Sequence, residues 1–182
     1  MEYSFIQANP IDHPGLIASL ASQVWREHYG DLLPAEQIDY MLDKFQSEVA
    51  VRNQIQTGGY IYYLLCVGAS NNHGNGAEPV GYMGVQFENE RIFLSKFYIL
   101  DSARGKGLGS YAFSLLKGMG ARWGAKSVWL TVNRGNAQSI AIYRHLGFAV
   151  VREQVADIGE GYVMDDYVME MELQTKSESL PE

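Results

Sequence analysis

Six consecutive residues, Arg104, Gly105, Lys106, Gly107, Leu108 and Gly109, lie between an apolar run at Ile92 to Leu100 and a helix-like stretch at Ser110 to Arg122. Glycines in a strand-to-helix connection let successive backbone N–H groups turn inward without interference from Cβ atoms. A helix start adds unpaired donors and the positive end of its dipole. Such a segment can cradle a phosphate with no side-chain ligand, although a lone glycine-rich hexapeptide reads equally well as an ordinary tight turn. A second block follows after one further strand. Asn133, Asn136, Tyr143, Gly147 and Phe148 fall in the pattern N-x-x-N-x-x-x-x-x-x-Y-x-x-x-G-F.

In this order and spacing the two blocks resemble the GNAT superfamily of acetyl-CoA-dependent N-acetyltransferases, over about residues 3 to 172 and most strongly from Phe93 to Phe148. The resemblance implies that R/Q-x-x-G-x-G/A binds the coenzyme A pyrophosphate, with Arg104, Gly107 and Gly109 at its fixed positions and Gly105, Lys106, Leu108 and Ser110 completing the loop. It also implies acetyl-CoA as cosubstrate, with Asn136 and Tyr143 meeting the pantetheine arm and its sulfur. The implied fold is α/β, a mixed central sheet flanked by helices whose fourth and fifth strands splay apart. A bulge in the fourth strand would expose peptide groups at Phe97, Tyr98 and Ile99, which would pair with the pantetheine and polarise the thioester carbonyl. The side chains of Phe97 and Tyr98 read as core packing.

An alkyl amine has a pKa of about 10.4, so near pH 7 only a few molecules in ten thousand carry the neutral nitrogen that attacks a thioester. Deprotonation asks the site for roughly 4 to 5 kcal/mol. Departing coenzyme A thiolate benefits from a proton donor, and the resemblance implies Tyr143, whose alternative reading is a helix tyrosine packed on the sheet. Many family members carry Glu on the fourth strand in a segment like L-E-K-x-Y-V, where this chain has Leu94, Ser95, Lys96, Phe97, Tyr98 and Ile99. Ser95 cannot replace a carboxylate, and its expected role is to hold a water that passes the proton on.

Trp25, His28 and Tyr29 are acceptor-site candidates by position. The W-x-x-x-Y arrangement at Trp25 and Tyr29, with the run Gly161 to Met169, is similar to that of bacterial PaiA-type polyamine acetyltransferases, which implies direct transfer to a polyamine in a ternary complex. Competing acceptors are a protein N-terminus or lysine, an amino-acid amine and an aminoglycoside-like drug. A non-catalytic acyl-CoA-binding regulatory domain is the reading from another class, against which the intact glycines and Tyr143 count. The G-x-G-x-x-G pattern and early position of a Rossmann dinucleotide binder are both missing.

With 182 residues and 47% hydrophobic content, the chain is expected to form one domain over residues 1–173, with a disordered tail at 174–182. The N-terminus lacks a basic region followed by an apolar stretch, and the longest apolar run, Tyr60 to Val67, is too short to span a bilayer. A cytoplasmic protein with a small-molecule amine partner and no membrane partner is expected; a homodimer is compatible with the family. The single cysteine, Cys66, excludes an internal disulfide and reads as a buried inert thiol. Net charge is -7, and from Glu153 onward nine acids stand against the lone base Lys176. That argues against nucleic acid and fits either a solvated acidic edge or attraction of a cationic acceptor. Arg134 and Arg144 read as solvent-facing, His145 as a surface residue, and no metal site is expected.

The elements that must position these groups follow from periodicity. Tyr3 to Gln7 reads as a strand. A helix starts near Asp12 and Pro14 and runs to about His28 with Leu16, Ile17, Leu20, Val24 and His28 on its buried face. Further helices open at Pro34 and Ser47, ended by Gly58 and Gly59 before the strand Tyr60 to Val67. Gly68 to Glu78 reads as a mobile polar loop. Strands at Val80 to Phe87, Arg91 to Leu100 and Ser127 to Val132, a helix from Asn136 to Leu146 and a hairpin with arms at Phe148 to Asp157 and Tyr162 to Leu173 complete the order. Gly118, Gly120 and Gly124 read as points of close helix-to-sheet approach.

Overall fold

The computed structural model describes residues 2–68 and 76–173, so most of the polar loop after Gly68 and the whole tail at 174–182 lie outside the described residues. The chain divides into two compact units. The first comprises Met1–Gln86 and Leu94–Phe113, the second Phe87–Phe93 and Ser114–Glu182.

In the first unit, strand β1 (Tyr3–Gln7) is followed by helices α1 (Pro14–Tyr29), α2 (Ala35–Gln46) and α3 (Glu48–Gln56), then by β2 (Ile61–Val67) and β3 (Glu78–Glu88). β1 runs antiparallel to β2, from Tyr3↔Val67 to Gln7↔Tyr63. The core joins Ile17, Ala21 and Val24 of α1 to Ile38, Met41, Val51, Tyr62, Leu64 and Met83. Three-to-four spacing on α1 is kept, but Leu16 is exposed and Ala21 and Trp25 take the buried positions. Asp12 does not cap α1. The cap is His13, without a side-chain bond, because the preceding turn is closed by Asn9, whose Oδ1 accepts from the N–H groups of Ile11 and Asp12. Ser47 does cap its helix, its hydroxyl accepting from the Ala50 N–H.

β3 turns into β4 (Arg91–Ile99) through Asn89 and Glu90, both at positive φ, the requirement of a two-residue type I′ hairpin. Between β2 and β3 the register shifts after Leu65, which pairs with Gly81 while Cys66 pairs with Pro79, so Val80 is one extra residue on β3. This irregularity lies against the end of β4. A Cβ added at Gly81 would fall 2.3 Å from the Tyr98 carbonyl oxygen, and the Val80 carbonyl accepts from the Leu100 N–H at 2.8 Å. The extra residue in the β2–β3 pairing thus lies on β3, beside Tyr98.

In the second unit, the first residues of β4 pair in parallel with β5 (Ser127–Asn133) through Arg91↔Ser127, Ile92↔Val128 and Phe93↔Trp129. Helix α5 (Ala137–His145) follows, then the hairpin of β6 (Ala149–Gly159) and β7 (Tyr162–Glu172), with β7 antiparallel to both β5 and β6. Strand order is β1-β2-β3-β4-β5-β7-β6, which with the parallel β4–β5 pair gives the mixed sheet of an α/β fold. Helix α4 (Leu108–Trp123) begins two residues before Ser110, so Leu108 and Gly109 form its first turn. Of its expected contact glycines, Gly120 fits, since a Cβ there would meet Leu173 Cδ1 at 2.4 Å and Ile92 Cδ1 at 3.5 Å. Gly118 has open space around it, and Gly124 ends the helix at φ +68°.

Gly81→Ala is expected to lower unfolding stability by about 1–3 kcal/mol, because a main-chain carbonyl must move. Gly118→Ala should raise it by up to about 1 kcal/mol through helix propensity alone. Urea denaturation of both variants against the parent chain checks the pair.

Candidate functional site

After Ile99 the chain makes a short 3-10 turn at Asp101–Ala103, closed by the Arg104 N–H donating to the Asp101 carbonyl at 3.1 Å. Gly105 at φ +71° and Gly107 at φ +89° reverse the backbone before α4. The α4 ladder begins with the Tyr111 N–H donating to the Gly107 carbonyl, so the amides of Leu108 and Gly109 precede it and have no acceptor within the helix. The cationic side chains are spent on the loop itself. Arg104 Nε donates to the Ile99 carbonyl at 2.8 Å while its guanidinium pairs with Asp101, and Lys106 Nζ donates to the Ser102 carbonyl at 2.6 Å. The Tyr3 hydroxyl donates to the Lys106 carbonyl, and Phe5 stacks on Tyr111 at 5.1 Å. A Cβ at Gly109 would find only ordinary contacts, 3.9 Å to Ile99 Cδ1 and 4.0 Å to Phe97 Cζ. The chain's own packing thus does not require glycine there, whereas close approach of a pyrophosphate to the backbone would.

Four aromatic side chains gather over β4. Trp25 lies 5.0 Å from Tyr29 and 5.7 Å from Tyr98, and Tyr98 lies 5.4 Å from the buried Tyr82. His28 meets Tyr29 edge-on at 4.7 Å. Glu27, beside it on α1, accepts from the Asp101 N–H at 3.2 Å and so ties the end of α1 to the loop. Burial, then the Arg104 charge, holds the His28 imidazole below its ordinary value, with Asp101 pulling the other way. His28 is therefore neutral at physiological pH, and a charge beside it resists its protonation. The structure brings Trp25, His28, Tyr29 and Tyr98 together; Phe97 packs instead on Phe113 of α4 at 5.0 Å.

Ser95 is half-buried, and its hydroxyl accepts from Lys96 Nζ at 2.6 Å. Sequence reasoning attached nothing to Lys96, yet this lysine is 8% exposed, on the buried face of β4 with Ile92 and Leu94. Its Nζ sits 5.1 Å over the Tyr60 ring, and its stem fills the space left by Gly84, where a Cβ would come within 3.0 Å of Lys96 Cγ and of the Tyr62 ring. Burial lowers the Lys96 ammonium to about 8 from an ordinary 10.5, with no carboxylate contributing. The signal available in the sequence was a lysine at an inward position of an otherwise apolar strand. Cys66 is buried and its thiol is pushed up to about 11, as expected of an inert core cysteine.

In the second unit, Asn136 caps α5, its Oδ1 accepting from the Ser139 N–H at 3.1 Å. Tyr143 lies in the last turn of α5, two residues before its end, its ring 5.7 Å from Phe148, whose N–H donates to the Tyr143 carbonyl. Arg134 is not a bare surface charge. It pairs with Glu153 at 3.1 Å and Asp165 at 3.4 Å and lies over the Tyr167 ring. Asp166 is buried, its carboxyl pushed up to about 6 by desolvation and by Asp165, with a Thr131 hydrogen bond opposing. Among the described residues no helix is long and apolar enough to cross a membrane, and no group of three or more His, Cys, Asp or Glu residues could hold a metal ion.

The fold is α/β, with a parallel β4–β5 pair and a glycine-rich loop leading from β4 into a helix. The acetyltransferase (GNAT) family model matches residues 20–148, more than half of the sequence, and the chain belongs to that family. Uncharacterized N-acetyltransferases of Mycobacterium tuberculosis and Mycobacterium bovis are 33% identical over 95 residues. That match takes in 52% of this chain, which spans 60% of the length of those relatives. The fold is similar to that of the PaiA N-acetyltransferase from Thermoplasma acidophilum, solved in complex with coenzyme A, at a TM-score of 0.74 and 17% identity over 94% of this chain and 99% of that one. It is also similar to the ribosomal-protein-S18-alanine N-acetyltransferase from Escherichia coli, at a TM-score of 0.66 and 17% identity over the full length of both.

Lys96 makes the stability of the fold depend on pH. Its folded value lies below the unfolded one, so between about 8 and 10.5 the unfolded chain binds more protons and stability rises with pH. The penalty is full below pH 8, at about 3 kcal/mol. Lys96→Met is thus expected to be more stable than the parent chain at pH 7, with the difference shrinking as pH rises toward 10.5. Chemical denaturation across that range measures it.

Proposed function

We propose that the chain is an acetyl-CoA-dependent N-acetyltransferase that moves an acetyl group to a primary amine by direct attack in a ternary complex, with a polyamine as the acceptor class. The observation that carries the reading is the loop from Arg104 to Ser110. Its arginine and lysine brace their own backbone, its helix-start amides lack an intrahelical acceptor, and its Gly109 has no packing reason to be glycine. Family membership supplies the ligand that such a cradle takes, the pyrophosphate of coenzyme A, and bound acetyl-CoA supplies the thioester.

In this reading the peptide groups of Phe97, Tyr98 and Ile99 meet the pantetheine, and Asn136 and Tyr143 meet its far end. Trp25, His28 and Tyr29 line the acceptor side. Neutral His28 adds no positive charge against an incoming ammonium, and the aromatic faces of Trp25, Tyr29 and Tyr98 favour one. Ser95 stands where many family members carry a glutamate and lies on the path by which the acceptor proton leaves. Tyr143 returns a proton to the departing thiolate. The PaiA-like residues at Trp25, Tyr29 and Gly161 to Met169 favour a polyamine over other amines.

The test is release of free thiol from acetyl-CoA with a panel of amines: spermidine, lysine, glycinamide and an aminoglycoside. Spermidine should be the best acceptor at low salt and lose its lead as salt rises, since exposed charges are screened within about 8 Å at physiological ionic strength. Thiol release with none of them would defeat the enzymatic reading; equal rates with spermidine and with an acidic amino acid would defeat the polyamine one. Gly109→Val should severely weaken acetyl-CoA binding by calorimetry while leaving the fold intact, because a Cβ at this position meets only ordinary van der Waals contacts.

Tyr143→Phe keeps the ring that packs near Phe148 and deletes only the hydroxyl. Acetyl-CoA affinity should be little changed and turnover should fall toward the lower end of the roughly 100- to 10,000-fold range of general acid catalysis, coenzyme A thiol being a fair leaving group. A wild-type rate in single-turnover measurements would return Tyr143 to packing.

A further inference from the structure

A lysine buried without a carboxylate is an expensive occupant of a core position that Leu or Met would fill. Such groups persist where their chemistry is used. Three features specialise the surroundings of Lys96. Gly84 clears room for its stem, the Tyr60 ring faces its ammonium, and its nitrogen is hydrogen-bonded at 2.6 Å to the hydroxyl of Ser95. That hydroxyl belongs to the residue standing at the family's strand-four carboxylate position. Ser95 by itself has no capacity to retain a proton, whereas an amine behind it does.

We propose that Ser95 and Lys96 form a proton relay for the acceptor amine, in which the Ser95 hydroxyl takes a proton from the acceptor ammonium while passing its own to the neutral Nζ of Lys96. This rests on the N-acetyltransferase reading above and deepens it. One N–H bond of the acceptor breaks and one O–H bond forms at Ser95; the former Ser95 O–H breaks and one N–H bond forms at Lys96. Ser95 is neutral before and after, the acceptor nitrogen regains its lone pair, and Lys96 carries the charge. The proton returns to water through Ser95 once the acetylated amine has left. Lys96 touches neither substrate and acts through Ser95, as a positioning and proton-holding residue. Burial keeps its ammonium easy to discharge, about 8 against an ordinary 10.5. The phenols of Tyr60 and Tyr62 face it from the β2 side, Tyr62 is raised by burial and stays neutral, and no charged group contributes to the lowering of Lys96. Gly84 of β3 and Ser95 of β4 add no charge.

The acceptor's own basicity separates a relay from a structural role. An alkyl amine near 10.4 needs the relay far more than an α-amine near 8. Lys96→Met and Ser95→Ala are each expected to cut kcat/KM for spermidine about 10- to 100-fold at pH 8, and to cut it less than threefold for glycinamide. The limb rising through about pH 8 should disappear, and the double variant should be no worse than either single one. Lys96→Arg, which keeps a cation that cannot be discharged, should not rescue. Independently of any acceptor, the Lys96 side-chain signals in lysine-labelled protein, assigned with Lys96→Met, should titrate between pH 7 and 9.5 and shift in Ser95→Ala. The proposal is overturned by a Lys96 ammonium that stays protonated through pH 9.5, by an unaltered pH profile in folded Lys96→Met, or by equal losses for both amines. If the parent chain acetylates neither amine while Lys96 titrates as stated, the N-acetyltransferase reading fails first, and the relay with it.

Discussion

The approach of Gly81 to the Tyr98 carbonyl fixes the course of β4 at the residues where its role changes. Before Leu94 the strand has β5 as a parallel neighbour through three pairs, and its side chains serve a sheet. At Tyr98 to Leu100 it is held from the β3 side, where Val80 is an extra residue, its carbonyl takes the Leu100 N–H and the missing Cβ of Gly81 admits the Tyr98 oxygen. A side chain on Gly81 would push the strand end outward, and Arg104, which anchors the glycine loop to the Ile99 carbonyl, would move with it. The loop, the start of α4 and the end of α1 are thus linked in series: Ile99 to Arg104, Arg104 to Asp101, and Asp101 to Glu27.

That series explains why the glycine loop is legible in sequence and its supports are not. Glycine positions report backbone geometry directly, so Gly105 and Gly107 at positive φ could be anticipated from spacing alone. The braces are side-chain-to-carbonyl bonds from Tyr3, Arg104 and Lys106, and no periodicity records which carbonyl a side chain will find. Arg104 read as a fixed motif position, but its guanidinium is taken up by Asp101 and the Ile99 carbonyl. The helices and strands were legible because apolar spacing is enforced over many residues. Asp12 failed as a cap because Asn9, three residues earlier, closes the turn, a competition among local hydrogen bonds that residue type does not decide.

Lys96 was illegible for another reason. A charged residue in a strand reads as outward-facing, and the alternation Ile92, Leu94, Lys96 was the sole hint that this one turns inward. Burying it costs stability that the apolar core of the first unit must supply, and Gly84, with no side chain of its own to pack, adds to that cost. Two losses placed at adjacent strands mark a local arrangement set by something other than stability, as expected where sequence-level consistency breaks down.

The acid-rich end of the chain shows the converse, a sequence feature whose apparent strength shrinks on folding. Nine acids against one base read either as a solvated edge or as a pull on cations. Folding returns bases from elsewhere: Arg134 engages Glu153 and Asp165, and Arg91 lies 3.7 Å from Glu170. Asp166 is withdrawn into the interior, where desolvation favours its neutral form. What remains exposed is a dispersed negative charge, screened by salt and without a fixed geometry. Such a field can raise the encounter rate of a polycation but cannot orient one nitrogen toward a thioester. Under the proposed function, discrimination among amines would come from short-range terms, the aromatic cluster of Trp25, Tyr29 and Tyr98 and the ease with which the acceptor gives up its proton, and those residues belong to the first unit, far in sequence from the acids that first admitted a cationic substrate.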